Sequence, residues 1–180
     1  LFGLFIELLH YMIKHKLPGA GPVLGGLHVP DVMYADDVGL LSFDPGEMQQ
    51  LVDVLGVFCR LFGMEVNLAP HKTCAVCFRP RGMKVPAGFR LVYQGHEIAR
   101  QSEYVYLGVR VHETRGLMGA SDALAVSGSK AMHAMLTKCR RSCLTQFDIK
   151  CRMFDILVEP VLSYASHIWG PIMFAQRLHN

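Results

Sequence analysis

Two short apolar runs, Val32-Met33 and Val38-Gly39-Leu40-Leu41, are separated only by Tyr34-Ala35-Asp36-Asp37. Runs of this kind read as strands, and a chain that joins two strands over so few residues has to turn back at once. The segment is therefore expected to be a hairpin with two adjacent carboxylates at its tip. Two readings of that tip stay open. Asp tolerates turn and left-handed backbone geometry better than most residues, so Asp36-Asp37 fits a plain turn. Alternatively, the tip holds two carboxylates as oxygen ligands for a hard divalent cation such as Mg²⁺, an arrangement used in two-metal phosphoryl transfer.

The rest of the chain surrounds this hairpin with helices and short strands. Residues 1–15 place Leu1, Leu4, Phe5, Leu8, Leu9 and Met12 at helical spacing, with Glu7, His10 and Lys14 on the other face, which predicts an amphipathic helix ending at Pro18-Gly19. The Gly- and Pro-rich stretch through Gly26 reads as loop, and residues 28–33 and 38–43 are the two hairpin strands. Asp44-Pro45-Gly46-Glu47 combines an N-cap, a proline in the first turn and a capping-box glutamate. The helix it starts buries Met48, Leu51, Val52, Leu55, Phe58, Cys59 and Phe62 and stops at Gly63. Strands are expected at 64–67 and 73–78, with Lys72 in the turn between them and Asn67 stabilising that turn.

Arg79-Pro80-Arg81-Gly82-Met83-Lys84 is a basic, broken loop, read as solvated surface with phosphate contact as the alternative. Further short strands are expected at 89–93 and 96–99, around Gln94-Gly95, and in 104–112, where Tyr104 and Tyr106 share one face. Residues 116–129 are rich in Gly, Ser and Ala and mark a boundary. Beyond it, Ala131, Met132, Met135, Leu136, Cys139 and Cys143 form one helix face against Lys130, Thr137, Lys138, Arg140 and Arg141 on the other. Ile149, Met153, Ile156 and Leu157 face inward on the next helix, and residues 160–169 form a last one.

Bulk properties exclude more than they assign. With 180 residues, 51% of them hydrophobic, the chain can bury a core, but a net charge of +3 gives no argument for nucleic acid unless basic residues cluster. Six cysteines in such a chain read as reduced thiols of an intracellular protein. Cys74 and Cys77 have the spacing of half a zinc site but lack a matching second pair. The apolar start is too short for a membrane span and has no basic leader. It opens on Leu within an apolar periodic run, which suggests a piece cut from a longer protein.

The ordered set of motifs is specific. Tyr34-Ala35-Asp36-Asp37, a helix, Gly63-Met64-Glu65-Val66-Asn67 with Lys72-Thr73, Tyr106-Leu107-Gly108, and then Pro160-Val161-Leu162-Ser163-Tyr164 and Trp169-Gly170 together resemble the palm and thumb of reverse transcriptases, nearest to those of non-LTR, LINE-type retrotransposons. The resemblance covers nearly the whole chain.

It implies an α+β fold: a partial palm of antiparallel sheet with packed helices over residues 1–115, a linker at 116–129, and a helical thumb-like region at 130–180, with the fingers absent. It implies an RNA-directed DNA polymerase that uses Mg²⁺, or Mn²⁺ in its place, with Asp36 and Asp37 as metal ligands. Lys72 would protonate the leaving pyrophosphate or aim charge at the triphosphate. Tyr34, Tyr106, Leu107, Gly108, Lys138 and Arg141 would contact primer and template. The partners implied are an RNA template, a DNA primer, deoxynucleoside triphosphates and the missing N-terminal palm and fingers, with no membrane, in the nucleus or cytoplasm by analogy. The family also needs a third aspartate on an upstream strand and a Gly-Gln-Gly loop, neither of which is in this sequence, so the isolated chain is expected not to polymerise. The alternatives are a non-catalytic nucleic-acid-binding module and an inert retrotransposon remnant.

Overall fold

The computed structural model describes residues 2–80, 82–84 and 88–177. The fold is α+β, and the described residues form two compact units: one from Leu1–Ala75 and Lys84–Gln101, the other from Val76–Met83 and Ser102–Asn180.

In the first unit, helix α1 (Phe2–Lys16) is followed by a minimal hairpin of β1 (Val23–Leu24) and β2 (Leu27–His28), then by β3 (Asp31–Tyr34) and β4 (Asp37–Leu40). Helix α2 (Pro45–Phe62) comes next, and β5 (Val92–Tyr93) with β6 (His96–Glu97) closes the unit. Of the local signals for α2, the N-cap, the proline and the closing glycine hold, and the capping-box glutamate does not. Asp44 is extended and its side chain accepts the Glu47 N–H, Pro45 opens the helix, and Gly63 ends it at φ 63°. The Glu47 carboxylate does not turn back to the cap. It accepts from the Ser42 hydroxyl and, at 3.2 Å, from the Gly21 N–H, while the Asp44 N–H donates to the Ser42 oxygen. The first turn of α2 thus ties down the chain on both sides of the β3–β4 hairpin.

The core of this unit consists of Ile6, Leu9 and Ile13 from α1 against Leu51, Val54, Phe58 and Cys59 from α2, with Met33, Val38 and Leu40 of the hairpin packed onto it. Phe58 is the largest of the fully buried side chains, and it forms a triangle of rings with Phe5 and Phe62, at centroid distances of 5.6 and 4.7 Å from them, the two being 5.0 Å apart. The buried face of α1 differs from the expected one. Leu4 and Leu8 are exposed while Ile6 and Ile13 are buried. The apolar arc of this helix is broad, so spacing alone admits more than one buried face within it.

The strands expected at 64–67 and 73–78 are not formed. Met64 and Val66 pack on the core as irregular chain, and Ala75 makes only a single bridge with Arg100. β-branched and apolar composition favours a strand only where a partner lies alongside. Asn67 does stabilise its turn, accepting the Ala69 N–H at 3.0 Å. The small β1–β2 hairpin, read as loop from sequence, is made by Gly25 and Gly26 at φ 58° and 83°, the backbone that tight two-residue turns favour. Gln49 of α2 docks β5 by acting as a neighbouring strand would: its amide accepts the Val92 N–H and donates to the Val92 carbonyl.

Tyr93 of β5 is buried. Burial, followed by a hydrogen bond with the Cys59 thiol, pushes its phenol up to about 12. A group whose folded value lies above its unfolded one adds stability that is complete below the unfolded value, about 10 for Tyr, and lost as pH rises through the folded value. The urea midpoint is therefore expected to fall between pH about 10 and about 12 in a step that Tyr93→Phe lacks. An identical alkaline limb in the variant would refute this.

In the second unit, β7 (Glu103–Tyr106) and β8 (Val109–His112) form a hairpin, followed by α3 (Met118–Arg141), α4 (Phe147–Leu157), the single turn α5 (Glu159–Leu162) and α6 (Ser166–Arg177). The stretch expected as linker, 116–129, is helical from Met118 onward, and its Gly128 has a packing reason. A Cβ there would lie 2.1 Å from Leu162 Cδ2, so the small residue admits α5 against α3. Met135, Cys139 and Val158 form the core of this unit with Met153 and Phe154 packed on it. Ile149, Ile156 and Leu157, expected inward, are exposed. The last helix, expected as one piece, is broken between α5 and α6, with Ala165 at φ 52°. Arg79 pairs with Glu113 at 2.7 Å, both largely buried, and also donates to the Met83 carbonyl, so it is an internal strut of this unit. Arg81 of the same basic loop lies outside the described residues.

Candidate functional site

The β3–β4 ladder pairs Asp31 with Leu40, Val32 with Gly39, Met33 with Val38 and Tyr34 with Asp37, leaving Ala35 and Asp36 as a two-residue turn. Side chains alternate across a strand, so Met33, Val38 and Leu40 point to the core while Tyr34, Asp37 and Val32 share the outer face. That face is open: Val32 and Tyr34 are 41% and 64% exposed, and Gly39 opposite Val32 adds no side chain. Asp36 and Asp37 are both exposed. The structure thus brings three sequence candidates together, with Tyr34 beside Asp37 on one face and Asp36 at the turn.

The turn is strained at the residue before the carboxylates. Ala35 has φ 52°, a left-handed backbone that costs an L-residue about 1–2 kcal/mol. Strain of this sort persists where surrounding structure enforces it. Here the enforcement comes from the base of the hairpin, which is held at several points. The Leu41 N–H donates to the Pro30 carbonyl at 2.8 Å, and Ser42 and Glu47 tie the chain after β4 to α2. On the α1 side, His10 Nδ1 lies 2.9 and 3.0 Å from the two Asp31 carboxylate oxygens. Sequence reading placed His10 on a solvent face and gave Asp31 no task. The signal was in the alternation: Asp31 has the same inward phase as Met33, and an inward charge has to have a partner.

Lys72, the third catalytic candidate, is exposed in a turn closed by bonds from its own N–H and that of Thr73 to the Ala69 carbonyl. It belongs to the same unit as the hairpin. Tyr106, Leu107, Gly108, Lys138 and Arg141 belong to the other. Tyr106-Leu107-Gly108 forms the turn end of β7–β8, with Leu107 and Gly108 at φ 46° and 79°. This turn is covered from within its own unit. The Tyr164 hydroxyl donates to the Leu107 carbonyl at 2.7 Å, and a Cβ on Gly108 would lie 3.1 Å from the Tyr164 ring.

Lys138 and Arg141 are exposed in the last turn of α3, where positive charge also offsets the negative end of the helix dipole. Lys130, His133, Thr137 and Arg141, three or four residues apart, run along one side of α3 away from buried Met135 and Cys139.

Among the described residues no three His, Cys, Asp or Glu side chains converge as a metal cluster, and no described helix is long and apolar enough to cross a membrane. All six cysteines are free thiols, and burial pushes the Cys74 thiol up. Mg²⁺ commonly binds through one or two carboxylates and keeps most of its waters. Asp36 and Asp37 are two exposed carboxylates adjacent in the chain, the number of such groups that an ion of this kind commonly takes.

No protein-family profile matches the chain, and no solved structure matches it. Over 151 residues it is 24% identical to an uncharacterized transposon-derived protein of Caenorhabditis elegans, a similarity that covers 81% of this chain and 50% of the worm protein. The chain therefore spans about half the length of the curated relative that it resembles.

Proposed function

We propose that the chain is the palm and thumb portion of a transposon-derived reverse transcriptase, in which the β3–β4 hairpin presents Asp36 and Asp37 to a divalent cation. The observation that supports this most is the hairpin itself: a two-residue turn with two exposed carboxylates beside Tyr34, on a base fastened to both α1 and α2. Similarity to a transposon-derived protein agrees with that origin. When bound there, Mg²⁺ would lower the pKa of a primer 3′-hydroxyl and neutralise the leaving pyrophosphate. Asp36 and Asp37 would hold the ion, Tyr34 would flank it with a flat apolar ring, and Lys72 would supply positive charge toward the triphosphate. Further carboxylates from the rest of a longer polymerase would complete a two-metal centre.

The test is direct binding of Mn²⁺, followed by electron paramagnetic resonance. Replacing one of two carboxylate ligands is expected to raise the Kd by about tenfold or more in Asp36→Asn, since even partners outside the ligand set are worth roughly that much, with no change in thermal unfolding. Equal affinity in wild type and variant would sink the reading.

A second reading has its own observation, the basic line of Lys130, His133 and Arg141 on α3. A nucleic-acid-binding module would hold a primer-template duplex without divalent metal and weaken steeply with salt. Asp36→Asn would leave that binding intact, whereas Lys130→Gln with Arg141→Gln would flatten the salt slope.

A further inference from the structure

We propose that His10 and Asp31 are positioning residues that fix the direction in which the β3–β4 hairpin presents its tip. Asp31 is the one buried charged residue among those described, with its side chain only 4% exposed. Both its oxygens lie within hydrogen-bond distance of His10 Nδ1, 21 residues away on α1. Because a carboxylate only accepts, that nitrogen is the one that donates.

A buried pair of this kind is a poor device for stability, since well-packed apolar residues do as well or better, but it can impose a specific arrangement. A two-stranded hairpin on its own is marginal, so its direction is set where it is anchored. The contacts of Met33, Val38 and Leu40 with the core are apolar and therefore without direction. The bonds of Ser42 and Glu47 hold the chain that leaves β4. The pair with His10 holds the residue that begins β3, and it is the directional link from β3 to α1. A strand rises about 3.3 Å per residue, so Asp36 stands at the end of a lever on the order of 15 Å long. A rotation of about 5° at Asp31 would then move the tip by roughly 1 Å, beyond the tolerance of about 0.5 Å for a functional constellation.

The inference deepens the proposed cation site and rests on it for its binding readout, but the placement of the hairpin is measurable alone. The main variant is His10→Leu with Asp31→Val, which removes both partners and so leaves no unpaired buried charge to unfold the protein. Two conservative variants accompany it. His10→Asn keeps a donor near the position of Nδ1, and Asp31→Asn keeps an acceptor while removing the charge. Hairpin order is read from hydrogen exchange and residual dipolar couplings of the amides in residues 31–41, and cation affinity from Mn²⁺ titration.

The double variant is expected to reorient or loosen those amides and to raise the Mn²⁺ Kd about tenfold, the lower end for partners outside the ligand set. Both conservative variants are expected to stay close to wild type. Unchanged amides in the double variant would overturn the proposal. So would an Asp31→Asn variant as impaired as the double one, because the charge of Asp31 and not its geometry would then be acting. If wild type shows no Asp36-dependent Mn²⁺ binding, the cation site fails as a reading, while the amide data still decide for or against the positioning role.

Discussion

Phe58→Ala is expected to lower the free energy of unfolding of the first unit by about 3–5 kcal/mol. Phe58 is fully buried. Its ring packs with those of Phe5 and Phe62, and it belongs to the same buried cluster as Leu9, Ile13 and Leu51. Truncation removes the transfer free energy of the ring and leaves a cavity that the two flanking helices can close only in part. The cost is a large share of the 5–15 kcal/mol that stabilises an ordinary domain. Met33, Val38 and Leu40 rest on the same cluster, so the hairpin loses its floor as well. Urea titration followed by far-ultraviolet circular dichroism measures the change. A loss below about 1 kcal/mol, the scale of a surface substitution, would show that this core is not packed as described.

Gly21→Ala is the second large effect, expected at about 2–5 kcal/mol from backbone strain and overpacking together. Gly21 has φ 85°, and a Cβ there would fall 2.5 Å from the Cα and N of Pro30 and 2.7 Å from the carbonyl carbon of Val29. Those are backbone atoms, and Pro30 cannot change φ to yield. The collision occurs at the base of the hairpin, where Pro30 also accepts the Leu41 N–H. Gly26→Ala separates the two contributions. Gly26 has nearly the same φ, 83°, with nothing within 4 Å of its added Cβ, so it incurs only the backbone strain, about 1–2 kcal/mol. Equal losses in the two variants would remove the steric argument.

The parts legible in the sequence are those whose causes are local. The start of α2 is specified by Asp44 and Pro45 and its end by Gly63, all within a turn of the positions they control; Glu47, read as a capping-box residue, instead binds Ser42 and Gly21. The β3–β4 hairpin follows from two apolar runs too close together to do anything but fold back. What was not legible depends on partners distant in sequence. Residues 73–78 have strand composition, yet only Ala75 finds a neighbour, because nothing else comes alongside. Ile6 and Ile13 are buried in place of Leu4 and Leu8, since the side on which α2 packs is not encoded in the spacing of a helix whose apolar arc is this broad. The covering of Leu107 and Gly108 by Tyr164 has no sequence signal, since it joins residues more than fifty apart. At the candidate site, the grouping of Tyr34, Asp36 and Asp37 was legible. The left-handed backbone at Ala35 was not, because Asp tolerates such a backbone better than Ala does, so the sequence pointed to Asp36 or Asp37 for it.

Each ladder in the described residues joins two strands that are neighbours in the chain, β1 with β2, β3 with β4, β5 with β6 and β7 with β8, and each is closed by a turn of two residues. No sheet has to wait for a distant strand. Such local pairing places little loop-closure entropy in the way of folding and favours fast formation. On a ribosome, where the N-terminal part of a chain emerges first, every residue of the Asp36-Asp37 ladder is out once Leu40 has left the tunnel, and the hairpin, marginal alone, becomes fixed when α2 arrives to supply its floor and fasten its base.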